Sequence, residues 1–299
     1  MAGSFWVLAT LIAAAAQTVR NAAQSGLTAK IGTLGATQVR FVFGLPFAVG
    51  FLWLATVLTG EGVPALNAAS LGFTALGAVA QIAATALMLI TMKSRSFAVT
   101  TAWIKTEPVM VALIAAAVIG DPLTLPVLLA IIVATAGVVI LSTKREVTRL
   151  MLSDLGPAAT GLLAGLMFGI AAIGFRGGIL TLPDGGSLIR ASTVLVLSLA
   201  IQSGLLLLWL AAFDRRALTA SFGVWRTSLL AGFLGAFASQ FWFIGFSLTT
   251  AANVRTLALV EVLMALAVSA WVFHQPVTAR QKVGMAVVVL GVGLLLTVH

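Results

Sequence analysis

The residues able to do chemistry are few, and they stand in apolar company. Lys105, Glu107 and Pro108 lie within Trp103-Ile-Lys-Thr-Glu-Pro-Val-Met110, in a run that is otherwise largely Ala, Val, Ile and Leu. A second carboxylate, Glu261, sits in Leu-Val-Glu-Val-Leu-Met, with Arg255 six residues before it. A carboxylate at the centre of a bilayer is costly, so each must be neutral, paired or turned to a cavity. One reading gives Glu107 and Glu261 to proton coupling or to a substrate ammonium. The other is structural: Pro108 frees a backbone carbonyl one turn earlier, and the glutamate helps reorganise polar groups at the bend. Recurrence of the carboxylate in both halves of the chain favours the structural reading. Lys105 and Glu107 are two residues apart, about 200° around a helix, and do not face each other. Lys105 therefore binds a substrate carboxylate or pairs with a carboxylate on another helix. For Arg255, nearer an interface, snorkelling is the ordinary explanation.

Other polar and aromatic residues fall into stripes. Gln17, Arg20, Asn21 and Gln24 recur at helical spacing, and a polar stripe facing lipid would be costly, so it lines a cavity mouth or a hydrated helix end. Gln81, Thr85, Met88 and Met92 share one face; Trp103, Glu107 and Met110 share another; Ser239, Trp242 and Phe246 form a third, with Gln240 alongside. Asn253 joins this candidate cavity set. Trp103 and Trp242 are expected at membrane depth, away from the headgroup belt where tryptophan collects. Core packing and pocket lining both account for them. As pocket walls, indole faces beside methionines suit apolar and aromatic side chains, with amides and hydroxyls orienting a substrate's polar end. Trp6, Trp225 and Trp271 lie near helix ends, where the belt suffices. Gly161, Gly165 and Gly169 are spaced for close helix contact.

The elements that must carry these residues follow from composition. Hydrophobic residues make up 61% of the 299 positions and charged residues 8%, with mean hydropathy +1.14. A soluble domain carries roughly 25% charged residues, so this surface must face lipid. Apolar runs long enough to cross roughly 30 Å of hydrocarbon recur at 5–24, 36–58, 71–92, 98–118, 124–142, 157–178, 188–212, 227–247, 252–272 and 281–298. The expected fold is an all-α integral membrane protein of ten helices with short loops. The first run lacks the basic segment of a signal peptide and reads as a spanning helix.

The formal net charge of +9 marks sidedness. Lys30, Lys93, Arg95, Lys144, Arg145, Arg149, Arg215, Arg216, Arg226, Arg280 and Lys282 lie in or beside alternate loops, with Arg20 and Arg40 flanking the first. The opposite side has Arg176, Arg190 and Arg255. Basic residues collect on the cytoplasmic side, which puts both termini in the periplasm of a bacterial inner membrane. Nucleic acid is not needed as a partner. Absence of cysteine removes disulfides and thiolate metal sites; no cofactor or metal is expected.

Offset by 154, the two halves superimpose. SFAVTTAWIKTEPVMVALIAAAVIGDPLT (96–124) lies over TAANVRTLALVEVLMALAVSAWVFHQPVT (250–278), matching Glu107 to Glu261, Met110 to Met264, Pro122 to Pro276 and, further on, Gly137 to Gly291. Lys105 meets Leu259, Thr101 meets Arg255 and Pro108 meets Val262, so the two central helices need not bend alike. Two repeats of five helices, an odd number, must be inverted relative to each other, the arrangement of secondary transporters whose site lies near the midplane. The domains are accordingly 1–146 and 147–299. These stretches resemble EamA repeats of the drug/metabolite transporter superfamily, and most resemble bacterial aromatic amino-acid exporters of the YddG type. The resemblance implies a basket of helices around a central cavity, exporting small metabolites by alternating access.

The function expected is a secondary transporter that exports aromatic and large apolar amino acids, working as a monomer in contact with membrane lipid. Few mid-membrane cations argue against phosphorylated solutes, which call for clustered Lys or Arg. Hydrophobic cations or other metabolites, and more remotely a channel, are the alternatives. An intramembrane enzyme lacks its motifs: the only histidines are His274 and His299, and no phosphate-binding Gly-rich loop or soluble domain exists to drive a pump.

Overall fold

The computed structural model describes residues 2–94, 104–142, 155–271 and 277–298. Among them there are helices and turns but no strand. The helices are α1 (Ala2–Val42), α2 (Leu45–Thr59), α3 (Ala68–Ser94), α4 (Glu107–Val118), α5 (Leu125–Ser142), α6 (Leu155–Leu180), α7 (Ser187–Phe213), α8 (Arg215–Gly223), α9 (Trp225–Leu248), α10 (Ala251–Leu257), α11 (Val260–Trp271) and α12 (Ala279–Val298). Six stretches are long and apolar enough to cross a membrane: Gly35–Thr59, Ala68–Met88, Ala159–Leu180, Ser187–Phe213, Trp225–Leu248 and Ala279–Val298. Phe5–Arg20, Glu107–Val118 and Leu125–Leu141 are shorter apolar helices. This is a multi-pass membrane protein.

Within the described residues the apolar runs read from the sequence fall on helix, and turns interrupt three of them. α1 continues past residue 24 because its polar stripe contains no helix breaker. It is broken at Gly32, whose φ of 72° and ψ of 174° belong to backbone that glycine alone adopts cheaply. The run 36–58 is parted at Phe43 and Gly44, and α2 restarts with a proline in its first turn, where the missing N–H costs nothing. The run 252–272 is split at Ala258–Leu259. There Leu259 N donates to Thr256 O at 3.0 Å, Glu261 N to Ala258 O at 2.9 Å and Val262 N to Leu259 O at 3.1 Å, so one tight turn replaces the α-helical ladder. The equivalent turn before α4, at Lys105 and Thr106, is followed by Pro108 and by Val109 N donating to Thr106 O at 3.3 Å. A tight turn thus precedes both α4 and α11, one followed by proline and one not.

The chain divides into two compact units: Met1–Val79 with Gly174–Thr249, and Ala80–Ile173 with Thr250–His299. In the first, α1 packs along α9, where Leu27, Ala36, Val39 and Ala231 form a buried cluster against Ile31, Phe43 and Val224. Gln38, fully buried, donates from Nε2 to Ser221 Oγ at 2.9 Å. Phe47 and Phe51 of α2 meet Phe233 and Phe237 of α9 at ring separations of 5.2 to 6.3 Å. Trp6 is only 2% exposed and is therefore a core residue, not an interfacial belt residue, whereas Trp225 is 52% exposed. The Trp271 side chain lies outside the described residues.

In the second unit α5 and α12 pack closely. A Cβ built on Gly137 would stand 2.5 Å from Val288 N, and one on Gly291 2.3 Å from Ala134 N. Ala134 and Val288 are themselves 154 residues apart, as are the two glycines, so the contact is reciprocal under the repeat offset. Arg280 Nε donates to Ile140 O at 3.1 Å, tying the start of α12 to the end of α5.

Candidate functional site

The second unit gathers the charged residues. Glu107 opens α4, Lys105 lies in the turn before it, Arg255 is on α10 and Glu261 is the second residue of α11. Arg255 Nη2 donates to Glu107 Oε2 at 2.6 Å, and its Nε stands 2.6 Å from Oε1. Lys105 Nζ donates to Glu261 Oε2 at 3.1 Å. The two carboxylates occupy equivalent repeat positions, yet their cations do not, and each carboxylate takes its cation from the other half of the sequence. Glu261 also attracts Arg255 through space, which joins the pairs into one group of four. Two cations and two carboxylates carry no net charge. That is the condition under which such groups are tolerated away from water.

The two pairs differ in setting. The Glu107 side chain is 1% exposed and takes one hydrogen bond and a second close approach from the Arg255 guanidinium, whose side chain is 16% exposed; Lys105 and Glu261 share one contact with side chains 13% and 11% exposed. Gly169 of α6 lies against Val111, its hypothetical Cβ 3.1 Å from Val111 Cγ2 and 3.9 Å from Glu107 Cγ. Gly161 and Gly165 are buried on the same helix.

One sequence reading changes here, and one of two alternatives is found. Arg255 does not snorkel to an interface; it forms the ion pair with buried Glu107. Glu107 is engaged by an Arg255 side-chain nitrogen. Lys105 has its carboxylate, on Glu261. The pattern that could have shown this is the pair of cations present in one repeat and missing in the other, a charge balance that only long-range pairing satisfies. Pro108, beside Glu107, is buried; on α3, Thr85 is 4% exposed with Oγ1 donating to Gln81 O at 2.8 Å, and Met88 is half-buried. Asn253 is 3% exposed; its backbone N–H donates to Thr250 Oγ1 at 3.2 Å, so Thr250 caps α10. Trp103 lies outside the described residues, as do the side chains of Asn21, Gln24 and Met92.

In the first unit, Trp242 Nε1 donates to Gln17 Oε1 at 3.1 Å, joining two residues that the sequence placed on separate stripes. Ser239, Gln240, Trp242 and Phe246 are all at most 7% exposed, as is Arg20. Gln240 Nε2 donates to Ser192 Oγ at 2.8 Å. Phe246 packs its ring 6.2 Å from Phe243. Its carbonyl accepts from Arg176 Nη1 at 2.6 Å, and the same Nη1 donates to Thr249 O. Arg176 thus caps the end of α9, where a cation meets unpaired carbonyls. The sequence reading used Arg176 only for sidedness and did not single out Ser192. Replacing Trp242 with phenylalanine removes the N–H donated to Gln17 and is expected to cost about 1 kcal/mol, read as a lowered melting temperature in detergent.

The sequence resembles known transporters over part of its length. Residues 156–297, just under half of the chain, match the EamA-like transporter family. No curated protein matches the sequence. A solved crystal structure matches all of this chain and 99% of its own at a TM-score of 0.68, with 14% identity, which is a likeness of fold. The second half of the chain is therefore similar to the EamA-like transporter family, on a helical multi-pass membrane fold.

Proposed function

We infer that the protein is a secondary transporter of the bacterial inner membrane that exports aromatic and large apolar amino acids. In this reading ten spanning helices form two inverted repeats, 1–146 and 147–299, around a central cavity that opens alternately to either side. Both termini are periplasmic and the unit of function is a monomer. Reciprocal packing of Gly137 on Val288 and Gly291 on Ala134 supports the two-fold relation.

The observation that carries the substrate class is charge balance. Lys105 and Arg255 are each matched by a carboxylate, so the group offers no surplus positive charge to a phosphorylated solute. A solute of zero net charge disturbs this balance least. Trp242 hydrogen-bonded to Gln17, with Phe246 and Gln240 on the same helix as Trp242, is the mixed aromatic and hydrogen-bonding chemistry that an aromatic amino acid needs. A hydrophobic-cation exporter would want an accessible acid. Glu107 is 1% exposed and already engaged by Arg255, which weighs against that alternative.

The test is tolerance in living cells. Bacteria expressing the protein are expected to grow in concentrations of toxic phenylalanine or tryptophan analogues that stop control cells. Protection against quaternary amines with none against the analogues would move the chain to the hydrophobic-cation reading.

A further inference from the structure

The pairing geometry assigns a second task to the ion pair whose carboxylate is the more accessible, and this inference rests on the amino-acid reading above. We propose that Lys105 and Glu261 are the charge-binding residues for the substrate's main-chain groups: a zwitterion enters between them, its carboxylate on Lys105 Nζ and its ammonium on Glu261.

Three observations converge on this pair. Lys105 and Glu261 touch at one point, 3.1 Å apart, and both side chains keep more than a tenth of their surface accessible. Glu107 and Arg255 touch at two points, with Glu107 1% exposed, Pro108 buried beside it and Gly169 packed over its stem. One pair is thus built to stay and the other can be parted. The second argument is electrostatic. An empty carrier cannot leave two bare charges in a low-dielectric interior, so a zwitterion site must neutralise itself when vacant. A direct lysine–glutamate contact does so. Insertion of a zwitterion exchanges one internal ion contact for two to the substrate and leaves the net charge unchanged. The third is that Arg255 continues to attract Glu261 through space, which holds that carboxylate in place when Lys105 turns to the substrate. Repeat symmetry makes the choice informative: the position matching Lys105 is Leu259, so only one of the two equivalent places can take a zwitterion in this way.

The experiment is substrate competition in liposomes, with radiolabelled phenylalanine counterflow as the signal. For the wild-type protein, 3-phenylpropionate, lacking the ammonium, and 2-phenylethylamine, lacking the carboxylate, are expected to compete at least about ten-fold more weakly than phenylalanine. Ligand binding to purified variants, followed by thermal stabilisation, should then split by charge. Glu261→Gln shifts preference toward 3-phenylpropionate and Lys105→Gln toward 2-phenylethylamine, each by roughly ten-fold relative to phenylalanine. A role in folding alone would not reverse preference in opposite directions. Analogues that compete within about two-fold of phenylalanine on the wild-type protein overturn the proposal even if neither variant can be purified, as do folded variants with unchanged preference. Absence of any phenylalanine counterflow in the wild-type protein removes the amino-acid reading itself, a distinct outcome.

Discussion

Replacing Arg255 with leucine is expected to lower the free energy of unfolding by about 3–5 kcal/mol, because it strands one member of a buried ion pair. The stranded group is Glu107, with 1% of its side chain exposed and both carboxylate oxygens 2.6 Å from the guanidinium. Glu107→Leu alone leaves Arg255 beside Glu261, an easier outcome, so its cost should be smaller. The double variant, Glu107→Leu with Arg255→Leu, removes both charges and should recover most of the loss, since apolar groups of similar volume replace buried pairs at little cost. Denaturant titration of the four proteins in detergent gives the coupling directly. Equal, additive losses in the two single variants would mean that the contact contributes nothing.

The second large effect comes from α5 and α12. Gly291→Ala forces a methyl to 2.3 Å from Ala134 N and 2.6 Å from Ala134 Cα. These are backbone atoms that cannot rotate away, so the helices must separate. About 1–3 kcal/mol of stability should be lost to overpacking, with Gly137→Ala behaving alike because its Cβ would stand 2.5 Å from Val288 N. Gly293, two residues away on the same helix, has nothing within 4 Å of a Cβ. Gly293→Ala should therefore raise stability by up to about 1 kcal/mol through helix propensity. Opposite signs at Gly291 and Gly293, measured as melting-temperature shifts in detergent, would identify packing and not propensity as the cause.

The parts of this architecture that were legible in the sequence are those written locally. Apolar runs give helices, because a membrane requires each to satisfy its own backbone, and the described parts of the runs are helical apart from short turns. Gly137 and Gly291, 154 residues apart, pack on Val288 and Ala134, which are also 154 apart. What stayed hidden was written across distance. The pairs Lys105–Glu261 and Arg255–Glu107 join residues 156 and 148 positions apart, and no spacing rule reaches that far. Arg255 looked like an interfacial cation because its helical neighbours gave no carboxylate. The break before α11 was obscured for a different reason. Val262 stands where the first repeat has proline, and a turn closed by main-chain hydrogen bonds leaves no residue signature. Gln17 and Trp242 were each read on a stripe of their own, and their hydrogen bond needed the packing of α1 on α9 to appear.

Counterflow in liposomes containing the purified protein tests the central claim most directly. Radiolabelled phenylalanine is presented outside, with unlabelled solutes inside and the pH gradient clamped. The account predicts transient accumulation when the interior holds phenylalanine, tryptophan or leucine, and none when it holds a quaternary amine or a sugar phosphate. Accumulation driven only by the quaternary amine or the sugar phosphate would contradict it and assign the protein to a different cargo.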